Sequence, residues 1–284
     1  MVWKRMPDAM TITEISDKKP SSLESAAFKS VQLSVVVMTH NEAANIRRCL
    51  ESVKPVADEV LVVDSFSKDD TVAIATSMGA RVVQHAFEGF ISQRAFCVHQ
   101  ARYDHVLALD ADESLSEDLQ NSILKIKTNW QYDCYFLPRR NNIGGKWIRF
   151  GGWSPSGIVR LFDRRKAICS GSEPHDRIQP LRQATTNRLE AYLLHWSNED
   201  ISSLLTSINR HSTAAAQTYF EKGRKPSWIR LLFKPGIKFF TFYLLRLGIL
   251  DGFYGYVLAK SAAQYIFLKE AKLMELYRRK REKR

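Results

Sequence analysis

Cysteine is sparse in this chain and follows no pattern: Cys49, Cys97, Cys134 and Cys169 are scattered through 284 residues with no C-x-x-C pair. That excludes a disulfide framework and a cysteine zinc site, and fits a reducing compartment. Long apolar runs are missing too. In the C-terminal part the longest uncharged stretches are 239–245, 247–250, 252–259 and 261–268, all well short of the about 20 residues that span a bilayer. The start, MVWKRMPDAM, has no apolar core, so it does not read as a secretory signal and a cytoplasmic location is expected. The turn after the first apolar run, M-T-H-N-E-A-A-N at 38–45, contains no glycine. A dinucleotide fingerprint, a P-loop and the Gly-rich loop of a sugar nucleotidyltransferase are therefore all excluded. Finally, the first 221 residues lack any excess of one charge. Sixteen Lys/Arg against four Asp/Glu in residues 222–284 account for the whole net charge of +12, leaving 26 of each sign before them. No basic face for nucleic acid is expected on the larger part.

What is present is a 45% apolar composition, enough for a stable core, and a regular alternation. LSVVVM (33–38), EVLVVD (59–64), RVVQH (81–85) and HVLALD (105–110) read as strands. Between and after them, residues 43–54, 67–79, 92–102 and 115–127 read as helices. Asn41 is placed to cap the first, and Gly79 to end the second. The alternation predicts an α/β fold, a mostly parallel sheet flanked by helices, with ligands beyond the carboxyl ends of the strands. Residues 1–30 read as a loosely ordered extension, 31–221 as the main α/β domain and 222–284 as a separate tail. A further helix is expected to begin near Ser197 or Asn198.

The stretch VLALDADE (106–113) drives an apolar strand into three carboxylates, Asp110, Asp112 and Glu113. Clustered carboxylates repel unless a cation or proton lies between them. The cluster is thus a site for a hard metal ion or simply the acidic start of the next helix. Thr39, His40, Asn41 and Glu42 after the first strand, and Asp64 after the second, fall on the same predicted edge.

The motifs TxNEaxNI (39–46), VVDSFSxDxT (62–71), QRxF (93–96) and LDADE (109–113) resemble family 2 glycosyltransferases of the Rossmann-like GT-A fold. With GGW (151–153), VRLF (159–162), His175–Asp176 and LRLGILDGFYGY (245–256), the chain is similar to the bacterial lipopolysaccharide core β-1,4-glucosyltransferase group. The resemblance spans roughly residues 31–275. It implies an inverting transfer of a hexose, glucose in that group, from a UDP-sugar to a lipopolysaccharide inner-core or other lipid-linked acceptor, with Mg²⁺ or Mn²⁺ as cofactor. It assigns Thr39, Asn41, Glu42, Asp64, Arg94, Asp110 and Trp153 to the nucleotide-sugar, and Asp112, Asp110 and His175 to the metal. Asp176 is the implied general base with Glu173 as the substitute. The related group has His-Glu where this chain has His175–Asp176, and the shorter Asp puts the reach of that base in question. Transfer to a polyprenyl phosphate carrier, or a non-catalytic membrane-bound protein that keeps the fold, are the competing readings. His40, His85, His99, His105, His195 and His211 share no ligand spacing and read as satisfied polar residues.

In the tail, Arg230, Lys234, Lys238 and Arg246 recur at multiples of four beside many apolar residues. Pro235–Gly236 is expected to break the element, and Asp251–Gly252 to turn it into a second helix over about 253–278. A basic amphipathic helix of this kind lies in a membrane interface, so anionic lipids of the inner leaflet are the expected partner and a peripheral or monotopic position the expected location. A helical hairpin packed on the catalytic domain, or a homo-oligomer interface, are the alternatives.

Overall fold

A computed structural model of the chain describes residues 30–153, 156–172 and 175–282, without the side chains of residues 156, 172 and 175. Residues 1–29 and Glu173 therefore lie outside the described residues.

The first half alternates as expected: β1 (Leu33–Thr39), α1 (Ile46–Val53), β2 (Glu59–Asp64), α2 (Thr71–Ser77), β3 (Arg81–Gln84), α3 (Phe90–Gln100) and β4 (His105–Asp110). Then follow β5 (Glu113–Leu115), α4 (Glu117–Thr128), β6 (Cys134–Ile143), β7 (Lys146–Trp147), β8 (Ser156–Asp163), β9 (Ala167–Ser172), β10 (His175–Pro180), β11 (Thr186–Arg188) and β12 (Leu193–Asn198). The main sheet runs β3-β2-β1-β4-β8-β6-β12-β5, with β7 and β11 paired to β6 off this path, while β9 and β10 form a separate hairpin. The β3-β2-β1-β4 half is parallel, and β8 enters antiparallel between β4 and β6.

Side chains alternate across a strand, and β1 uses both faces. Leu33, Val35 and Val37 pack with Ile46, Cys49, Leu50 and Val53 of α1, whereas Val36 joins Leu61, Val63, Val106 and Cys97 on the other side. Burial on both faces explains why these strands read as unbroken apolar runs. Register then aligns the strand ends: Thr39 lies opposite Asp64, and Met38 opposite Asp110. The predicted edge is formed.

Two local expectations differ. Asn41 does not cap α1. It adopts φ 55°, and the helix starts after Asn45, with the Glu42 carbonyl accepting from the backbone N–H groups of Asn45 and Ile46. Residues 113–115 form a strand, not the first turn of a helix, because β5 pairs with β12 before Ser116 caps α4.

The last third is helical: α5 (Ile201–Glu221), α6 (Trp228–Phe240), a π-helical turn (Thr241–Leu245), a 3-10 turn (Gly248–Asp251) and α7 (Gly252–Glu282). Asp200 caps α5 through the Ser203 N–H. Pro235 does not break α6, which continues through it. The proline forfeits only its own N–H bond, while the sharp change of direction falls where the backbone can approach itself closely. A Cβ at Gly255 would sit 1.7 Å from the Gly248 carbonyl oxygen, and one at Gly248 would sit 2.6 Å from that of Phe242. The two helical segments, 228–245 and 248–282, meet there at 72°. Asp251 ties the corner to the sheet domain by accepting from the N–H groups of Arg149 and Phe150, the latter at 2.8 Å. Gly255→Ala is therefore expected to cost about 3 kcal/mol of stability through overpacking. Denaturant unfolding checks this, and an unchanged midpoint would contradict the close packing.

α6 is inverted relative to an ordinary surface helix. Its one buried residue is Leu231, whereas Trp228, Ile229, Leu232, Phe233, Ile237 and Phe240 are each at least 60% exposed. Leu245 and Leu250 beyond it are 79% and 61% exposed, and Phe253 at the start of α7 is 65% exposed. Among the described residues no single helix is long and apolar enough to cross a membrane.

Candidate active site

The three clustered carboxylates separate into two environments. Asp110 accepts from Arg94 at 2.7 Å through Oδ1 and from Arg160 at 2.6 Å through Oδ2. Glu113, 1% exposed, accepts from Arg160 at 3.0 Å and from the Asp110 backbone N–H at 3.1 Å, with Arg139 at 3.4 Å. Arg94 also donates through Nε to Asp176 Oδ2 at 2.8 Å. Asp176, Arg94, Asp110, Arg160, Glu113 and Arg139 thus form a row of alternating sign with no net charge. Burial alone would raise the Asp110 pKa, but the two guanidinium groups win and hold it well below the usual carboxylate range. Burial would lower the pKa of Arg94, yet Asp110 and Asp176 hold it up.

This arrangement has a pH signature. Asp110 has a folded pKa below its unfolded value of about 3.9. Its contribution to stability is therefore complete above that value and is lost as pH falls through the folded one. Asp110→Asn is expected to lower the melting temperature at neutral pH and to flatten its decline in acid. A variant whose acid limb parallels the parent would contradict the pairing.

Asp112 is different. Its Oδ1 is buried without a partner, and its Oδ2 lies 3.2 Å from His195 Nε2. His195 Nδ1 is 2.7 Å from Asn141 Oδ1, while the Asn141 amide donates at 3.4 Å to the Trp153 carbonyl. That donation orients Asn141 with its oxygen toward the ring, so Nδ1 carries the proton. An imidazole nitrogen 3.2 Å from a carboxylate oxygen is a juxtaposition that calls for a cation or a proton between them. Asp112 lines a cleft of about 450 Å³ together with Asn41, Glu42, Asp69, Trp196 and Glu199. Glu42 is pushed up by burial, and further by Asp112, Asp69 and Asp110, against the hydrogen bond from Asn45.

The cleft gathers Asn41, Glu42 and Asp112 from the residues singled out in the sequence. Thr39 is nearby at the β1 end, with its hydroxyl buried and unpartnered. Asp64 is fully buried and accepts from the backbone and hydroxyl of Ser67, which fixes the turn holding Phe66 at φ 57°. Asn41 closes the same turn by accepting from the Lys68 N–H at 2.8 Å. Arg94, at 2% exposure, spends its planar fork on two carboxylates, in place of the diphosphate expected from the sequence. Asp110 has both oxygens on arginines, which disfavours it as a metal ligand in this arrangement. Trp153 packs against Ile143, Ile148, Leu204 and Leu258. Of His175 the backbone alone is described, at the start of β10.

Sequence reasoning missed the roles of His195 and Trp196, whereas Arg160 reads from the sequence as a structural or phosphate-directed strand residue and is found paired with Asp110 and Glu113. The guanidinium of Arg48 stacks 3.7 Å over the Trp196 ring. The available signal was the polar pair His-Trp interrupting the apolar strand LLHWSN. Among the described residues no three His, Cys, Asp or Glu side chains converge as a complete metal site.

A half-parallel sheet with carboxylates at its carboxyl edge and an antiparallel extension is the architecture of GT-A glycosyltransferases. The mannosyltransferase PcManGT from Pyrobaculum calidifontis, solved with GDP-Man and Mn²⁺, shares it with a TM-score of 0.52 over 90% of this chain and 91% of that one, at 13% identity. The profile described as Glycosyl transferase family 2 matches residues 34–181. An uncharacterised glycosyltransferase of Rickettsia bellii is 33% identical over 259 residues, 86% of this chain and 87% of the relative. The lipopolysaccharide core biosynthesis glycosyltransferase LpsC of Rhizobium meliloti is 27% identical over 86% of this chain and 92% of its own length. The chain belongs to glycosyl transferase family 2 and is a glycosyltransferase.

Proposed function

We propose that the enzyme transfers a hexose, glucose in the specific reading, from a UDP-sugar to a lipopolysaccharide inner-core or related lipid-linked saccharide, with inversion and with a divalent cation. The observation that carries this is Asp112: one of its oxygens is left buried at the cleft without a partner, while the neighbouring carboxylates are paired with arginines. The likeness to LpsC supports the acceptor class.

The orphaned Asp112 oxygen is a fitting ligand for Mg²⁺ or Mn²⁺, which prefer oxygen donors and share them between protein and phosphate. Bound there, the ion supplies charge neutralisation for the departing diphosphate. Thr39, Asn41, Glu42 and Asp64 line or brace the edge where the nucleoside is to lie. Asp176 is the proposed acceptor of the hydroxyl proton. Its Oδ2 is held by Arg94 at 2.8 Å, so turning that oxygen to the acceptor requires the bond to Arg94 to loosen.

The exposed apolar face of α6 and the basic tail support work at the inner membrane surface, with residues 222–284 as the membrane-associating part. The experiment is a panel of UDP-glucose, UDP-galactose, UDP-N-acetylglucosamine and GDP-mannose, with Mg²⁺, Mn²⁺ or chelator, with and without truncated lipopolysaccharide. Acceptor-dependent turnover of UDP-glucose that stops in chelator is expected. Full rate in chelator, or preference for GDP-mannose or a polyprenyl phosphate acceptor, would overturn the reading. In the same buffers UDP is expected to raise the melting temperature when the cation is present, by about 2.7 kcal/mol of stabilisation at a hundredfold excess over Kd. Equal protection in chelator would remove the metal from donor binding.

A further inference from the structure

The cations of α6 and the turn after it are not all used alike. Arg230 is paired with Glu270 at 3.1 Å. Lys238 and Arg246 instead converge on one aromatic ring: the Lys238 ammonium lies 3.8 Å from the Phe242 centroid and the Arg246 guanidinium carbon 5.3 Å from it. Phe242 is 9% exposed and its ring lies where a Cβ on Gly152 would be, so the ring is locked against the 3-10 turn Gly151–Trp153. Among the described residues neither cation has a carboxylate within ion-pair distance, although Arg81, Arg94, Arg160, Arg164 and Arg165 all do. Lys238 is held below its ordinary pKa by burial first and by Arg246 next. Two like charges brought to one rigid ring without a counter-charge are electrostatically unfavourable until an anion joins them.

The surroundings say which anion. Ile237 and Phe240 on one side, and Leu244, Leu245 and Leu247 on the other, are all exposed, so the pair sits at the rim of the apolar face. A face that enters the acyl region places its rim at the depth of lipid head groups. A planar arginine fork beside a lysine point charge suits the oxygens of a phosphate. Resting on the membrane reading above, we propose that Lys238 and Arg246 form a binding site for the phosphate of a membrane lipid. The site has a fixed register to the catalytic centre. The Arg246 carbonyl accepts from the Gly151 N–H at 2.8 Å, the Trp153 carbonyl accepts from Asn141, and Asn141 orients His195 beside Asp112. A head group held there therefore places the bilayer plane at a set distance from the cleft.

The test is flotation of the full-length protein with phosphatidylcholine vesicles. One set carries phosphatidic acid and the other cholesterol hemisuccinate, a carboxylate, at matched surface charge. The parent is expected to partition about tenfold more strongly to the phosphate-bearing set, the scale of one charge-assisted hydrogen bond, since matched surface charge cancels the general attraction of the tail. K238Q/R246Q is expected to lose that preference, to keep its binding to the carboxylate set through the apolar face, and to keep its melting temperature. Equal binding of parent and K238Q/R246Q to phosphatidic acid would overturn the phosphate site and leave the membrane reading standing. So would equal binding of the parent to both sets. Release by about 10 mM inorganic phosphate would assign the site to free phosphate and overturn the lipid assignment. If the parent floats with no vesicle, or is a stable dimer that Phe233→Glu makes monomeric, the membrane reading itself has failed and the proposal with it.

Discussion

Asp112→Asn is expected to lower glycosyl transfer by about a hundredfold or more, the scale seen when one group stabilising a developing charge is removed, with the melting temperature held or slightly raised. The two parts of this expectation come from the same contacts. Asp112 is a quarter exposed and its one described partner is His195 Nε2. An asparagine in its place has nearly the same shape and can still hydrogen-bond that nitrogen, which leaves the fold intact. What it cannot do is supply an anionic ligand. Transfer rate and unfolding midpoint measured side by side on parent and variant check both halves. A near-parent rate with Mg²⁺ or Mn²⁺ present would take Asp112 out of the reaction. Asp110→Asn is the contrast: it is expected to lose stability together with activity, since Arg94 and Arg160 both depend on it.

The largest stability effect is expected at Arg94. Arg94→Met leaves Asp110 and Asp176 facing an apolar side chain, and stripping one partner from a buried ion pair costs about 3–5 kcal/mol. Arg94→Lys is expected to recover part of this, because a point charge can neutralise but cannot fork between two carboxylates. Adding Asp176→Asn to Arg94→Met is expected to cost little more, since the interaction is already gone, so the cycle should be strongly non-additive. Denaturant unfolding of Arg94→Met, Asp176→Asn and the double variant gives the coupling. A loss below about 1 kcal/mol in Arg94→Met, the range of an exposed pair, would show that Arg94 is not the buried hub described here.

The parallel half of the fold was readable from the chain because it is buried on both faces. The apolar runs 33–38, 59–64 and 105–110 match the strands within a residue, and the acidic strand ends are on one edge as expected. Boundaries that depend on tertiary contact were not readable. α1 begins at Ile46, five residues beyond Asn41, because Asn41 is recruited by the Ser67–Lys68 turn across the sheet edge. Pro235 gave a strong local signal, but Gly248 and Gly255 decide the corner, through a backbone approach that no pattern within one helix encodes.

The site divides in the same way. The carboxylates were visible because DADE ends a strand, but their sorting was not. Arg160 reaches Asp110 across 50 residues of chain and Arg94 across 16, and these contacts decide which carboxylate is structural and which is left to act. His195 was passed over because it has no ligand spacing in sequence. It meets Asp112 through the pairing of β12 with β5, which places it opposite Glu113.

The guanidinium shared by Asp110 and Asp176 has a consequence for the order of substrate addition. The two carboxylates lie on opposite arms of one cation that is shut off from water. Any ligand that draws Asp110 away leaves Arg94 a single anion, so its grip on Asp176 tightens; any ligand that draws Asp176 away strengthens its grip on Asp110. Thermodynamic reciprocity makes the two effects equal in magnitude. The Asp110 and Asp176 sides of the site are therefore energetically coupled through one side chain. The sign of that coupling, read from the affinity of each substrate in the presence and absence of the other, is a property of Arg94 that Arg94→Lys should diminish.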